Sequence, residues 1–240
     1  MKVLIVIPTY NERNNIRLLI NEILKEFKKN KIKGKILVVD DTSPDGTGFE
    51  VKKIMKSNKN VFLLERKKKE GLGVAYIAGF KKAFELNSDL IFGMDADFSH
   101  NPKYIIDFIN KINDGFDVVI GTRYSKGGGF KNRPFYRGIM SKGANFLVKL
   151  ILNLPVTDVT NAYRAYKTDV LKSIDIDGIE SRGYEFLSEI LLRINKKGFK
   201  ITEIPTIFDA RRGGKSKLSL REIPFFFYRA IKLRVNSKIN

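Results

Sequence analysis

Two carboxylates stand two positions apart in Met94-Asp95-Ala96-Asp97, at the end of the apolar run Leu90–Met94. On an extended chain residues i and i+2 point to the same side, so both charges would share one face. Carboxylates held that close repel, and a proton or a cation relieves the repulsion. The chain has no cysteine and one histidine, His100, so the donors here are oxygens. Such a set suits Mg²⁺ or Mn²⁺, which keep part of their shell for substrate phosphates. A plainer reading makes Asp97 the cap of a helix beginning near Pro102, or pairs both carboxylates with surface lysines. His100 also has two readings: a group that orients a phosphate, or punctuation at the helix start beside Asn101-Pro102.

Polar clusters follow three other apolar runs. Val3–Ile7 leads into Pro8-Thr9-Tyr10-Asn11-Glu12, Ile36–Val39 into Asp40-Asp41-Thr42-Ser43-Pro44-Asp45-Gly46, and Val118–Gly121 into Thr122-Arg123-Tyr124. One carboxylate of Asp40-Asp41 could accept from a nucleotide base or ribose, although Ser43-Pro44-Asp45-Gly46 is a turn signal in its own right. Glu12 either bonds the same base or caps the next helix, and Tyr10 either stacks on it or joins the core. Arginine suits bidentate phosphate recognition, which singles out Arg123 and Arg137. Ser141 follows Arg137 by one helical turn and would share its face. Arg211, Arg212, Lys215 and Lys217 lie in a glycine-containing loop that could close over a diphosphate. Each arginine taken singly is more simply a solvated surface charge, as is the run Lys67-Lys68-Lys69. Gly71-Leu72-Gly73-Val74 is not a dinucleotide fingerprint, because Tyr76 stands where a small residue is required. Its glycines would still allow close packing, and its helix start could face an anion. Gly213-Gly214-Lys215-Ser216 is not a Walker loop, since Ala210 occupies the position of the first glycine.

The elements that must position these residues alternate. Val3–Ile7, Ile36–Val39, Val61–Leu64, Leu90–Met94 and Val118–Gly121 read as buried strands, with helices over Ile16–Lys28, Gly71–Phe84 and Tyr104–Ile112. Beyond Gly121 the pattern predicts a mobile loop at Gly127-Gly128-Gly129 and a helix over Tyr136–Leu152. An extended Asn161–Tyr166, a helix over Tyr184–Asn195, a strand over Lys200–Phe208 and a basic amphipathic helix over Leu220–Val235 follow. This is an α/β fold with a mostly parallel central sheet and helices on both faces. Ligands of such sheets bind beyond the carboxyl ends of the strands, where the four polar clusters converge.

Composition limits the alternatives. The 240 residues are 43 % hydrophobic and 11 % aromatic, enough to build a core and to exclude disorder as the main state. Without cysteine there is no disulfide scaffold, thiolate metal site or cysteine nucleophile. No apolar run is long enough to span a membrane and the N-terminus lacks signal-peptide features, so the expected setting is intracellular, soluble or peripheral. The net charge of +19 is uneven: residues 1–120 carry +5 and residues 121–240 carry +14. That asymmetry suggests an anionic partner for the second half. A nucleic-acid-binding protein is one alternative, but the basic residues do not interleave with aromatics, and acidic strand ends would repel a phosphate backbone.

Taken in order, the clusters at 8–12, 40–47, 71–75, 94–97 and 121–124, with Arg211-x-x-Gly214-x-Ser216-Lys217, resemble the family 2 glycosyltransferases. Within them they resemble the dolichyl- and polyprenyl-phosphate mannose synthases. The resemblance runs from about residue 3 to 218 and implies a GT-A fold as a single domain over 1–218. Residues 1–122 would form its nucleotide-binding half and 123–218 its acceptor half, with the basic helix over 219–240. It implies transfer of mannose from GDP-mannose to dolichyl or polyprenyl phosphate with inversion. A UDP-sugar such as UDP-glucose is the alternative donor. Pro8, Tyr10, Glu12, Val39, Asp41 and Ala96 would hold the nucleotide sugar, with Arg211 and Lys217 on its diphosphate. Asp95 and Asp97 would bind Mg²⁺ or Mn²⁺, and Arg123, Arg137 and Ser141 would grip the acceptor phosphate. Glu185 or Glu189 would face the sugar. Ser99 departs from the family, where glutamine is common. The implied partners are a membrane surface, contacted peripherally from the cytoplasmic face, and a small membrane-anchoring subunit, with no nucleic acid.

Overall fold

Alternate residues of a strand face opposite sides of its sheet, so a strand that is apolar throughout must be covered on both sides. The first strand, β1 (Lys2–Thr9), shows this directly: Val3, Ile5 and Ile7 enter one core, Leu4 and Val6 the other. In the computed structural model, which describes residues 1–132, 135–209 and 222–239, both cores are built around one seven-stranded sheet. Helices α1 (Arg13–Lys29), α2 (Thr47–Ser57) and α4 (Ile105–Asn113) cover one side. Helices α3 (Leu72–Glu85), α5 (Phe135–Leu152), α6 (Thr168–Ser173), α7 (Phe186–Lys196) and α8 (Glu222–Ile239) lie on the other.

The remaining strands are β2 (Lys33–Asp40), β3 (Val61–Glu65), β4 (Leu90–Gly93), β5 (Val118–Thr122), β7 (Arg164–Lys167) and β8 (Ile201–Pro205). The sheet order is β3-β2-β1-β4-β7-β5-β8, and every pairing is parallel except the two made by β7. The mostly parallel sheet with two helical layers is therefore as the sequence predicts. The reversed β7 wedges between β4 and β5, so the chain after residue 157 runs along the same sheet edge as the ends of those strands.

Several elements differ from expectation. Within Gly127-Gly128-Gly129 the first two glycines lie in a turn, while Gly129 opens β6 (Gly129–Lys131), which pairs in parallel with β9 (Ile207–Asp209). The expected strand Lys200–Phe208 is split at Thr206, because Pro205 has no N–H to continue the ladder and the chain leaves β5 for β6. Helices α2 and α6 were not foreseen. Only Thr47, Gly48 and Val51 of α2 are buried, which leaves too narrow an apolar stripe to read. Helix α8 packs on α5 and buries Ala230, with Phe227 and Leu233 against the core, while Tyr228, Ile231 and Val235 stand exposed. It is apolar on two sides rather than on one.

Gly71 and Gly73 serve packing. The Gly73 N–H donates to the Arg182 carbonyl at 2.8 Å, and a Cβ on Gly73 would lie 2.6 Å from the Ser181 carbonyl oxygen and 2.8 Å from the Phe186 Cβ. The start of α3 is thus engaged by the chain that leads into α7. Gly73→Ala is expected to lower stability by about 1–3 kcal/mol, through overpacking against main chain that has little room to move. Urea unfolding measures this, and a change below about 0.5 kcal/mol would contradict the packing described.

Candidate active site

The loops after β1 and β2 are sewn together by side-chain acceptors. Asn11, Glu12 and Arg13 donate their main-chain N–H groups to Ser43 Oγ, Thr47 Oγ1 and Asp45 Oδ2, each at 3.0 Å. Asp45 Oδ1 also takes the Thr47 N–H at 2.9 Å, which starts α2 after the left-handed Gly46 (φ 87°). Asp40 is occupied by this turn: its carboxylate accepts from Thr9 Oγ1 at 2.9 Å and from Ser43 Oγ and N at 2.6 and 2.9 Å. The two neighbouring aspartates therefore divide the roles.

Asp41 stands beyond the turn and is paired with a cation. Arg66 Nη1 lies 2.8 Å from Asp41 Oδ1, and Arg66 Nη2 lies 2.9 Å from Glu70. Burial raises the Asp41 carboxyl above its ordinary value, and the Arg66 charge opposes that rise. Lys69, read from sequence as a solvated lysine, places its Nζ 4.0 Å over the Tyr10 ring. Arg66 and Lys69 thus bring positive charge to the face where Tyr10, Glu12 and Asp41 meet. Glu12 is half-buried and bonds Asn15 Nδ2 at 2.9 Å. Pro8 is half-buried beside it in β1. The Val39 side chain is fully buried in the core and is not open to a ligand.

Strand β4 ends beside β1 and delivers Asp95, Ala96 and Asp97 to the same edge. Asp95 is part-exposed, whereas Ala96 and Asp97 are buried. Asp97 Oδ1 accepts the Ser99 N–H at 3.1 Å, and the turn at Pro102–Tyr104 is capped by Asn101, not by Asp97. His100 is neither punctuation nor a solvent-facing phosphate ligand. Its ring is buried and stacks on Tyr163 at 4.9 Å, and its Nδ1 accepts the Asp95 N–H at 3.0 Å. Burial lowers the His100 pKa, against the pull of Asp95 and Asp97, and because Nδ1 accepts, the ring proton is assigned to Nε2. Among the described residues no three His, Cys, Asp or Glu side chains converge as a ready-made metal cage. Two hard carboxylates fit a cation of the Mg²⁺ or Mn²⁺ class that completes its shell with phosphate oxygens and water.

Strand β5 supplies Arg123, whose guanidinium is almost fully buried. Its Nε and Nη2 form a fork on Asp158 at 2.6 and 2.7 Å, and Nη2 also reaches Thr160 Oγ1 at 2.9 Å. Burial would lower its pKa, but the Asp158 carboxylate outweighs burial and holds it above the ordinary value. The rings of Tyr124, Phe130 and Phe208 lie 5.2–5.5 Å from the guanidinium carbon. Among the described residues, no acceptor lies on the Nη1 edge of this fixed group. Ser141 on α5 joins the network through the Tyr124 hydroxyl at 2.8 Å, and Asn145 ties that hydroxyl to Thr160. Asp158 and Asn145 were not foreseen. The sequence shows them only as polar residues in apolar surroundings.

Of the two glutamates left open by the sequence, Glu189 is buried and fully used. It accepts from the main-chain N–H groups of Glu180 and Ser181 and from Arg193 Nη2 at 2.9 Å. Glu185 is half-exposed just before α7 and accepts the Gly183 N–H at 3.2 Å. The Arg137 side chain, Arg211 and Lys217 lie outside the described residues.

The model of the family described as glycosyl transferase family 2 matches residues 4–175, nearly three-quarters of the chain. The chain belongs to glycosyl transferase family 2. It is 37 % identical over 228 residues to the polyprenol monophosphomannose synthase of Mycolicibacterium smegmatis, covering 93 % of this chain and 84 % of that protein. It is 39 % identical over 219 residues to the undecaprenyl-phosphate mannosyltransferase of Micrococcus luteus, covering 91 % and 88 %. In fold it is similar to mannosyl-3-phosphoglycerate synthase of Rubrobacter xylanophilus, with a TM-score of 0.72, 18 % identity and coverage of 99 % and 75 %. A second likeness is to glucosyl-3-phosphoglycerate synthase of Mycobacterium tuberculosis in complex with Mn²⁺, UDP and phosphoglyceric acid (TM-score 0.68, 16 % identity, coverage 98 % and 78 %). These likenesses give the GT-A architecture to the sheet described above.

The Arg123–Asp158 pair yields a direct prediction. Asp158→Ala leaves a buried guanidinium without its carboxylate and is expected to destabilise the protein by about 3–5 kcal/mol. Denaturant unfolding would show this, and a loss below about 1 kcal/mol would mean that the pair is not the anchor its geometry describes.

Proposed function

We propose that the chain transfers mannose from GDP-mannose to a polyprenyl phosphate, with inversion at the sugar carbon. The observation that carries this reading is the two-sided character of α5. One side of the helix places Ser141 and Asn145 in the Arg123–Tyr124–Thr160 network. Elsewhere the helix exposes Ile139, Met140, Phe146, Leu147 and Leu150. With Tyr228, Ile231 and Val235 of α8, these make eight of the twelve large apolar side chains that stand exposed among the described residues. Basic residues are interspersed: Lys142 and Lys149 on α5, Arg229, Lys232 and Arg234 on α8. A polar anion-binding end beside an apolar, basic-flanked face matches a phosphate carried on a long hydrocarbon, lying at a membrane surface. Among the described residues no helix is long and apolar enough to cross a membrane, so contact would be peripheral. The two curated relatives, both named for mannosyl transfer to or on polyprenols, support the same acceptor and sugar.

In this reading residues 1–122 hold the donor and residues 123–218 the acceptor. Pro8, Tyr10, Glu12, Asp41 and the Val39 main chain would hold the guanosine, with Ala96 beside the sugar. Arg66 and Lys69 stand at the same edge, and Arg211 and Lys217 would act on the diphosphate. Asp95 and Asp97 would hold a divalent cation, which supplies charge stabilisation to the departing diphosphate. Arg123 through its Nη1 edge, with Arg137 and Ser141, would hold the acceptor phosphate and offset the repulsion between two phosphorylated substrates. A phosphate monoester has a second pKa of about 6, so at neutral pH its oxygen is already anionic and needs no general base. That oxygen would form a bond to the anomeric carbon as the bond from that carbon to the diphosphate breaks and GDP leaves. In-line attack gives the β-linked mannosyl phosphate.

The donor can be tested by thermal denaturation with Mn²⁺ present. GDP at 100 times its Kd is expected to add about 2.7 kcal/mol of stability, while UDP at the same concentration leaves the midpoint unchanged. The reverse result would make the protein a UDP-sugar transferase. The apolar face makes a separate prediction: Leu150→Glu should cut cosedimentation with vesicles of phosphatidylcholine and phosphatidylglycerol at least fivefold without shifting the melting midpoint. Undiminished sedimentation would remove the lipid-facing role of α5.

A further inference from the structure

Two buried polar side-chain atoms beside the aspartate pair have no hydrogen-bond partner among the described residues: Ser99 Oγ and His100 Nε2. Leaving a buried donor unpaired is costly, so such an atom needs an explanation. The His100 ring is fixed on every side. Tyr163 stacks on one face, Phe208 of β9 meets it edge-on at 5.7 Å, and Nδ1 is engaged by the Asp95 main chain. Because Nδ1 accepts, the proton must sit on Nε2. Asn161 also approaches the ring: its amide nitrogen donates to the Gly121 carbonyl, and its oxygen accepts the Tyr163 N–H and keeps a second lone pair near the ring. The carboxylate oxygen Oδ2 of Asp95 lies 3.8 Å from Nε2, just beyond hydrogen-bond reach. One neutral ring thus grips the main chain of Asp95 with one nitrogen and faces its side chain with the other.

We propose that His100 is a positioning residue for the cation site: its Nε2–H is the donor that orients the Asp95 carboxylate, while Nδ1 fixes the backbone from which that carboxylate projects. The proposal rests on Asp95 and Asp97 being the cation-holding pair. An outer group of this kind selects one carboxylate rotamer and is typically worth ten- to a hundredfold in metal affinity. The Ser99 carbonyl accepts the Asp209 N–H of β9 at 3.3 Å, so the same two residues also tie the aspartate segment to the strand that precedes residues 210–221.

The two nitrogens can be separated by substitution. In His100→Asn the side-chain oxygen can stand near the position of Nδ1 but nothing replaces Nε2, whereas in His100→Gln the amide reaches the Nε2 position. Mn²⁺ is titrated against the whole chain with saturating GDP, and free Mn²⁺ is read by electron paramagnetic resonance. Asp95→Asn serves as the reference and the melting midpoint of each variant is recorded. The expected result is a tenfold or greater loss of Mn²⁺ affinity in His100→Asn and in Asp95→Asn. His100→Gln should stay within about threefold of the unsubstituted protein, and the histidine variants should remain folded at the assay temperature. If His100→Asn binds Mn²⁺ as the unsubstituted protein does while Asp95→Asn does not, His100 only packs and the proposal falls. If Asp95→Asn itself binds undiminished, the cation-site reading beneath it falls.

Discussion

A guanidinium buried at the end of β5 has to be neutralised, and the way Arg123 meets that need sets the geometry of half the site. Asp158 supplies the charge, Thr160 supplies another acceptor, and three aromatic rings surround the group. Asp158 can do this because the reversed β7 brings the 157–161 segment to the carboxyl edge of β5. Glu203 of β8 pins the start of that segment through the N–H groups of Thr157 and Asp158, both at 2.9 Å. Arg123 is therefore held in place before any ligand arrives. A fixed charge costs no reorganisation when an anion binds, which is the condition for electrostatic stabilisation to be large.

The same constraint links the polar site to the outer surface. Asn145 bonds Thr160 and the Val159 N–H, so α5 is locked to the Arg123 cluster from within. Its exposed apolar side chains are consequently held in a fixed relation to that cluster. Helix α8 extends the surface alongside, with its own Ala230 buried against the core. At the ends of β1 and β2 the arrangement is similar in kind. Asp40 is consumed by the turn, which leaves Asp41 at the edge with Arg66, while Lys69 lies on Tyr10. Asp95 and Asp97 follow the end of β4, the strand between β1 and β7.

Much of this was legible in the residue order. The apolar runs at 3–7, 36–39, 90–94 and 118–121 are strands because each is buried on both faces, and their polar ends mark the site. The reversed direction of β7 was not legible, since alternation carries no sense of direction. The break at Thr206 escaped for a related reason: a strand that changes sheets keeps its apolar pattern. Among side chains, Tyr10, Asp41, Asp95 and Asp97 could be singled out by position. Asp158, Asn145 and Arg66 could not, because each acts through a partner distant in sequence: Arg123, Thr160 or Tyr124, and Asp41. The buried position of His100 was not legible either, because its stack on Tyr163 joins residues 63 positions apart. Glu185 and Glu189 were indistinguishable until the main-chain donors on Glu189 were seen.

The central claim is that a divalent cation, a guanosine diphosphate sugar and a lipid-borne phosphate meet at this edge. Transfer of radiolabelled mannose from GDP-mannose to polyprenyl phosphate tests it most directly, with Mg²⁺ or Mn²⁺ present, an EDTA control and UDP-glucose run alongside. The account predicts a mannolipid that forms only with the metal and no comparable glucolipid. A glucolipid without mannolipid would contradict the donor assignment while leaving the fold and the acceptor in place. A mannolipid that forms undiminished in EDTA would contradict the role given to Asp95 and Asp97.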